Sequence, residues 1–177
     1  MIFGRGGGGG VINRVSKQPE LGRSGLAAAA GVDSYGAFNL TADGKADLSD
    51  SFAARLNGIY EAFSNHRDRY DGHAVGINPV ISGNLGASTR ALLSYEFVSD
   101  NRTVDRGSPS FGGVPVTGQY RSFFGHPDAN FTRIDAHLAR ARIEHDASDN
   151  LTLDATLQFA DYDKLYSNVY PRAATAT

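Results

Sequence analysis

The sequence predicts an all-β, antiparallel chain of about seven strands in an open, curved sheet, and three observations predict it. Apolar and polar residues alternate with period two in segment after segment. Helical period is weak throughout. The connections between the alternating segments take turns at being short and long, as they do in barrels that cross an outer membrane.

The segments follow in order from Leu21. The run Ala27 to Ala30 has helical propensity, but Gly25 and Gly31 flank it and it is too short to stand as a helix. Phe38, Leu40 and Ala42 alternate with Asn39, Thr41 and Asp43. Phe52, Ala54, Leu56 and Tyr60 share a parity opposite to Arg55, Asn57 and Glu61. Val75, Ile77, Pro79 and Ile81 form a third set, and Ala91, Leu93, Tyr95 and Phe97 a fourth. The cleanest runs from Leu151 through Leu153, Ala155 and Leu157 to Phe159, against Thr152, Asp154, Thr156 and Gln158. Each is about as long as the roughly 9–11 residues that a tilted strand needs to cross a bilayer. Between Ile134 and Ile143 the apolar parity slips from even to odd at Leu138. A bulge there, or a strand with a wet outer end, would each produce the slip.

Three connections are short: Asp47 to Asp50, Gly83 to Gly86, and Asp146 to Asn150. Two are long and charged: Asn65 to Gly72, and Ser99 to about Phe131. Phe63, Phe97 and Tyr162 fall near the long-loop ends, where an aromatic girdle is expected. A soluble sandwich with one wet face alternates in the same way, so periodicity alone leaves both architectures open.

Composition bounds the function. The chain has 177 residues, is 41% hydrophobic and 20% charged, and carries a net charge of −2. That balance argues against a general nucleic-acid binder, which needs a basic face. There are no cysteines, so neither disulfides nor thiolate metal sites arise. No run of 18 apolar residues is present, which excludes a membrane-spanning helix. The five histidines lack the close pairing of a zinc motif, and the loop aspartates Asp100, Asp105 and Asp128 do not fit a calcium loop. No carboxylate pair has a recognisable acid/base setting, and no enzyme activity is expected.

Five consecutive glycines, Gly6 to Gly10, suggest a phosphate-binding loop, but no Lys-Ser/Thr pair follows and no helix is predicted after them. They suit a backbone that turns sharply or packs closely. The longer phrase is more specific. Phe3-Gly4-Arg5-Gly6, then Gly9-Gly10-Val11-Ile12-Asn13-Arg14-Val15-Ser16-Lys17-Gln18-Pro19, resembles the segment that closes the plug domain of TonB-dependent siderophore receptors. In that family a glycine-rich turn leads into an Ile-Asn-x-Val-x-Lys-x-Pro strand, and the barrel begins just beyond it. Arg55-Leu56-Asn57-Gly58, Gly76-Ile77-Asn78-Pro79 and Ser94-Tyr95-Glu96 resemble early barrel strands of the same family. Asp105-Arg106-Gly107-x-Pro109-Ser110, Gly113-Val114-Pro115 and Phe123-Phe124-Gly125 resemble its third outer loop. With Asp161-Tyr162-Asp163-Lys164 and Asn168-Val169-Tyr170-Pro171, these phrases are most similar to the receptors for catecholate siderophores.

The resemblance implies a plug end over residues 1–20 and the first part of a barrel over 21–177. It implies that the signal peptide, the TonB box and most of the plug precede Met1, and that the remaining strands follow Thr177. Such plugged transporters have about 22 strands. It implies a ferric siderophore as ligand, the TonB complex as energising partner and outer-membrane lipid as surroundings. No cofactor is implied, because the iron arrives already chelated. The isolated chain, without a TonB box, is not expected to transport anything. The ligand-contacting candidates are Arg102, Arg106, Tyr120, Arg121, Phe123, Phe124 and His126 on the third loop, with Tyr166 and Tyr170 opening the fourth. Arginine suits an anionic, aromatic-faced chelate both as a charge and as a planar stacking group. Arg5 is expected to pair with an inward carboxylate such as Glu61 or Glu96, or to meet the ligand at the plug apex. A passive pore or adhesin-like barrel and a soluble β-sandwich binding module are the alternative readings, and the plug phrase speaks against the pore.

Overall fold

A computed structural model describes residues 15–171. The glycine run, with Arg5, Gly9, Gly10, Ile12 and Asn13 of the plug phrase, lies outside the described residues. The described residues form strands β1 (Gly25–Val32), β2 (Phe38–Asp47), β3 (Phe52–Ser64), β4 (Asp71–Asn84) and β5 (Thr89–Thr103). They continue with β6 (Ser110–Phe111), β7 (Val114–Pro115), β8 (Phe131–Ser148) and β9 (Leu151–Ser167). Seven of these make one antiparallel sheet in the order β1-β2-β3-β4-β5-β8-β9, and β6 and β7 form a small hairpin inside the long loop. Gly112 and Gly113 turn that hairpin with φ of 59° and 80°, the left-handed pair that a tight hairpin turn requires.

Every consecutive pair in the large sheet is a hairpin, so all turns fall at two ends. Residues 48–51, 85–88 and 149–150 make the short end. Residues 33–37, 65–70 and 104–130 make the other. The first two of these outer connections are short, because β3 and β4 pair as far as Ser64 and Asp71, and only the third is long; the connection after Asn65, expected to be long, is a compact turn. Asp33 closes the first, its Oδ1 accepting from the N–H groups of Tyr35 and Ala37 at 2.8 and 3.0 Å. The alanine run is strand, paired in full with β2. Several strands exceed the predicted crossing length: β8 has 18 residues and β9 has 17. The third outer loop consequently begins at residue 104, and Tyr166 lies on β9 itself.

Register assigns each side chain to a face. One face collects the apolar set: Leu40 and Leu56, then Ile77, Leu93, Ala141 and Leu157 on successive strands. These side chains are open to the surroundings, with Leu157 75% and Phe159 67% exposed. No second sheet covers them among the described residues, as a sandwich would require. The opposite face carries Asp43, Arg55, Asn78, Ser94, Arg140 and Gln158. β8 pairs without interruption from Phe131 to His145 with both neighbours, and its one irregularity lies between Asp146 and Ser148. The parity slip at Leu138 is therefore a wet outer end and not a bulge. Ile134, Ala136 and Leu138 sit on the inner face, while Arg133 and Asp135 continue the outer face above the apolar band.

The girdle expectation needs correcting at two of three positions. Phe97 lies on the apolar face, beside His137 at 4.9 Å between ring centroids. Phe63 and Tyr162 fall on the inner face, because each is out of step with the apolar parity of its strand. Tyr95 shares the apolar face with Phe97, its hydroxyl 2.6 Å from His137 Nδ1.

The core is sparse. Among the described residues, the buried hydrophobics are Ala53, Val80 and Ala136, all on the inner face. The chain before β1 crosses that face: Val15, Ser16 and Lys17 share a cavity of about 620 Å³ with residues from Ala29 on β1 to Arg140 on β8. A sheet must curve for six of its strands to line one cavity with the same three residues.

Candidate functional site

Residues 15–19 of the plug phrase are fixed to the inner wall by polar contacts. Lys17 Nζ reaches Asp43 Oδ2 at 2.8 Å. Arg55 clamps the same carboxylate with Nε and Nη2 at 2.8 and 2.7 Å, and its Nη1 donates to the Gln18 carbonyl at 3.0 Å. Ser82 Oγ donates to the Pro19 carbonyl at 3.3 Å. Pro19 is buried, whereas Val15 is 75% exposed. Glu61 and Glu96, the carboxylates proposed for Arg5, lie on the same inner face as Asp43.

The other predicted residues gather at the outer end, at the end of β5, on the loop 104–130, and at and just beyond the end of β9. Three of them meet: Arg106 stacks its guanidinium 5.4 Å from the centre of the Tyr170 ring and donates from Nη1 to the Tyr166 hydroxyl at 3.3 Å. All three are exposed, as is Tyr120. This is a cationic and aromatic surface in contact with solvent, suited to a planar anionic ligand.

The remaining candidates are engaged elsewhere. Arg102 pairs with the buried Asp100 and lies over the Phe63 ring, 4.4 Å from its centre. Arg121 pairs with Asp68 at 3.1 Å. Phe123 and Phe124 are half-buried, and the Phe123 ring stands where a Cβ on Gly125 would go. His126 uses its backbone N–H on Asn130 Oδ1 and its ring Nδ1 on the Asp128 N–H, so it organises a turn.

Two residues that sequence reasoning missed hold this end together. Asn130 is 1% exposed and ties three segments through its side chain. Its Nδ2 donates to the carbonyls of Val104 and Val169 at 3.1 and 2.9 Å, and its Oδ1 accepts from Val169 and His126 at 2.8 and 3.0 Å. Arg67, on the loop 65–70, enters the loop 104–130, where it donates to the Ser122 carbonyl at 2.7 Å and pairs with Asp105 at 3.3 Å. No cluster of three or more metal-ligating side chains occurs among the described residues.

An all-hairpin sheet with an outward apolar face, a polar inner face crossed by an extended segment, and loops concentrated at one end defines a section of an outer-membrane-type β-barrel wall. No family model matches the chain. It is 32% identical over 173 residues to the probable TonB-dependent siderophore receptor PiuA of Acinetobacter baumannii, and 30% identical to the catecholate siderophore receptor Fiu of Escherichia coli K12. Each alignment covers 89% of this chain and 22% of the relative. The crystal structure of Fiu in its closed form superposes with a TM-score of 0.77 at 29% identity, over 89% of this chain and 24% of that one. Over most of its length the chain is similar to TonB-dependent siderophore receptors, and it spans about a fifth of the length of the curated relatives it matches.

Proposed function

We propose that this chain supplies part of the wall and outer mouth of an outer-membrane receptor for ferric siderophore uptake, with catecholates as the chelate class. The arrangement of Arg106 over Tyr170 and beside Tyr166, exposed at the outer end, is the observation that carries the reading. A ferric catecholate is anionic and presents aromatic faces, and one guanidinium already stacked on a tyrosine offers both charge and a flat partner. The names of the relatives support the same class, for both are siderophore receptors and one is a catecholate receptor. Nothing in this scheme requires a resident cofactor: the iron is cargo, bound by its chelator. Energy for release into the periplasm would come from the TonB complex acting on the plug, and residues 15–19 would form the fixed end against which the plug moves. The domain boundary near residue 20 belongs to this reading.

The test is binding of radiolabelled iron(III) tris-catecholate to the protein as its gene encodes it, in outer-membrane vesicles. Arg106→Ala and Tyr170→Ala are each expected to weaken binding by about ten-fold, the loss of one charge-assisted or cation–π contact of about 1.5 kcal/mol. Wild-type affinity in both variants would remove this cluster from the site. Conductance through an unplugged channel, with no chelate bound, would favour a passive pore.

A further inference from the structure

Arg67 sits on the short loop 65–70, but its contacts are made with the long loop 104–130. The turn that carries it is specified locally. Asn65 Oδ1 accepts from the Arg67 N–H at 2.7 Å, and Arg69 takes a φ of 64°, a conformation that residues with a Cβ seldom adopt. The side chain is thereby aimed sideways into its neighbour. There the guanidinium donates to the Ser122 carbonyl at 2.7 Å, the Gln119 carbonyl at 3.4 Å and Ser108 Oγ at 3.2 Å, and pairs with Asp105 at 3.3 Å. Both charges of that pair are shielded, with side chains 12% and 14% exposed. A second contact closes the same seam, where Asp68 donates its N–H to the Arg121 carbonyl at 2.8 Å and accepts from the Arg121 side chain.

The seam brackets Arg106. Asp105 receives Arg67 on one carboxylate oxygen and the Gly107 N–H, at 2.8 Å, on the other. The residues on both sides of Arg106 are therefore held by a carboxylate that Arg67 fixes. We infer that Arg67 is a positioning residue for ligand binding: it locks the second outer loop to the third and sets Arg106 over Tyr170 before any chelate arrives. The inference rests on the siderophore reading of that cluster. Holding the loop in its binding geometry beforehand removes an ordering cost that would otherwise be charged against affinity. Only arginine offers the fork of donors that meets two carbonyls, a hydroxyl and a carboxylate at once, so lysine is a poor replacement.

The experiment uses the protein as its gene encodes it, in outer-membrane vesicles, with two readouts. One is the rate of trypsin cleavage after Arg106 and Arg121, followed by mass spectrometry. The other is the affinity for iron(III) tris-catecholate. Arg67→Ala is expected to speed cleavage and to weaken binding, each by about ten-fold. Arg67→Lys should fail to restore either. Asp105→Asn, which keeps an acceptor for Gly107 and removes the charge, should shift both readouts less far. The double variant Arg67→Ala/Arg106→Ala should bind no worse than Arg106→Ala alone, since Arg67 acts through Arg106. Heat-modifiable mobility on gels, unchanged in all variants, reports that the barrel is intact. Losses that multiply in the double variant, or binding within about two-fold of wild type in Arg67→Ala, would overturn the proposal. A wild type that binds no iron complex fails the receptor reading and takes the ligand role of Arg67 with it. Normal wild-type binding that Arg67→Ala leaves unaltered fails the Arg67 role alone.

Discussion

Asn130 shows how much one side chain decides at this end of the molecule. Its amide is buried and makes four hydrogen bonds, two given and two received, with no polar atom left over. Removing it strands groups on three segments that have no other common partner. Asn130→Ala is expected to cost about 2–4 kcal/mol of local stability, the sum of a few unmatched buried groups. Amide hydrogen exchange at Val169 and His126 would read this directly as faster exchange. Asn130→Asp should be no milder, because it turns an oxygen toward the carbonyls of Val104 and Val169. Exposed pairs behave differently: losing Arg90 from its contacts with Glu144 and Asp146 should change little. Neither Asn130 nor Arg67 could be found by reading the chain. Apart from His126, the partners tied to these side chains across segments lie about 26 to 55 residues away in stretches without periodicity, and an asparagine before a strand or an arginine in a charged loop looks like ordinary solvated sequence. Arg106, Tyr166 and Tyr170 could be named as candidates, because their residue types match the expected ligand chemistry. Their meeting could not.

At the scale of the strand, legibility was high, for a physical reason. A wall with lipid on one side and water on the other imposes period two on every segment, so faces can be assigned without knowing the pairing. The misassignments came where that pressure stops. Phe63 and Tyr162 are close to the aqueous ends, where an aromatic residue on the inner face is as acceptable as one on the outer face. Ile134 and Ala136 are apolar on the inner side, near the loop end of β8, where no lipid imposes the parity. Depth dependence follows from the same logic. In the complete barrel, Leu157→Arg places a charge within the apolar band and should cost about 2–4 kcal/mol, measured by guanidinium unfolding from lipid vesicles. Asp163→Arg is on the same face, above the band and opposite Asp135, and should cost about 0–1 kcal/mol. Equal costs at the two positions would mean that the apolar face does not meet lipid.

The sheet as a whole has two open edges among the described residues, at β1 and β9, and only a sparse core. Unpaired backbone along β9, beside an exposed apolar face, is a template for association with other chains. The described residues expressed by themselves are therefore expected to sediment as aggregates in detergent-free buffer. A monomer that unfolds cooperatively in water would contradict the membrane-wall reading. The strand lengths have a consequence of their own. β1 has 8 residues and β8 has 18, which at about 3.3 Å per residue and a tilt of about 40° gives heights of roughly 20 and 45 Å. Counted from the end that carries the short turns, the surplus lies at the loop end of the sheet. The brim of the vessel climbs from a low sill at β1 to a parapet at β8 and β9. In the proposed receptor, a chelate entering over the sill would meet the parapet's inner side, where Tyr162, Lys164 and Tyr166 stand in file.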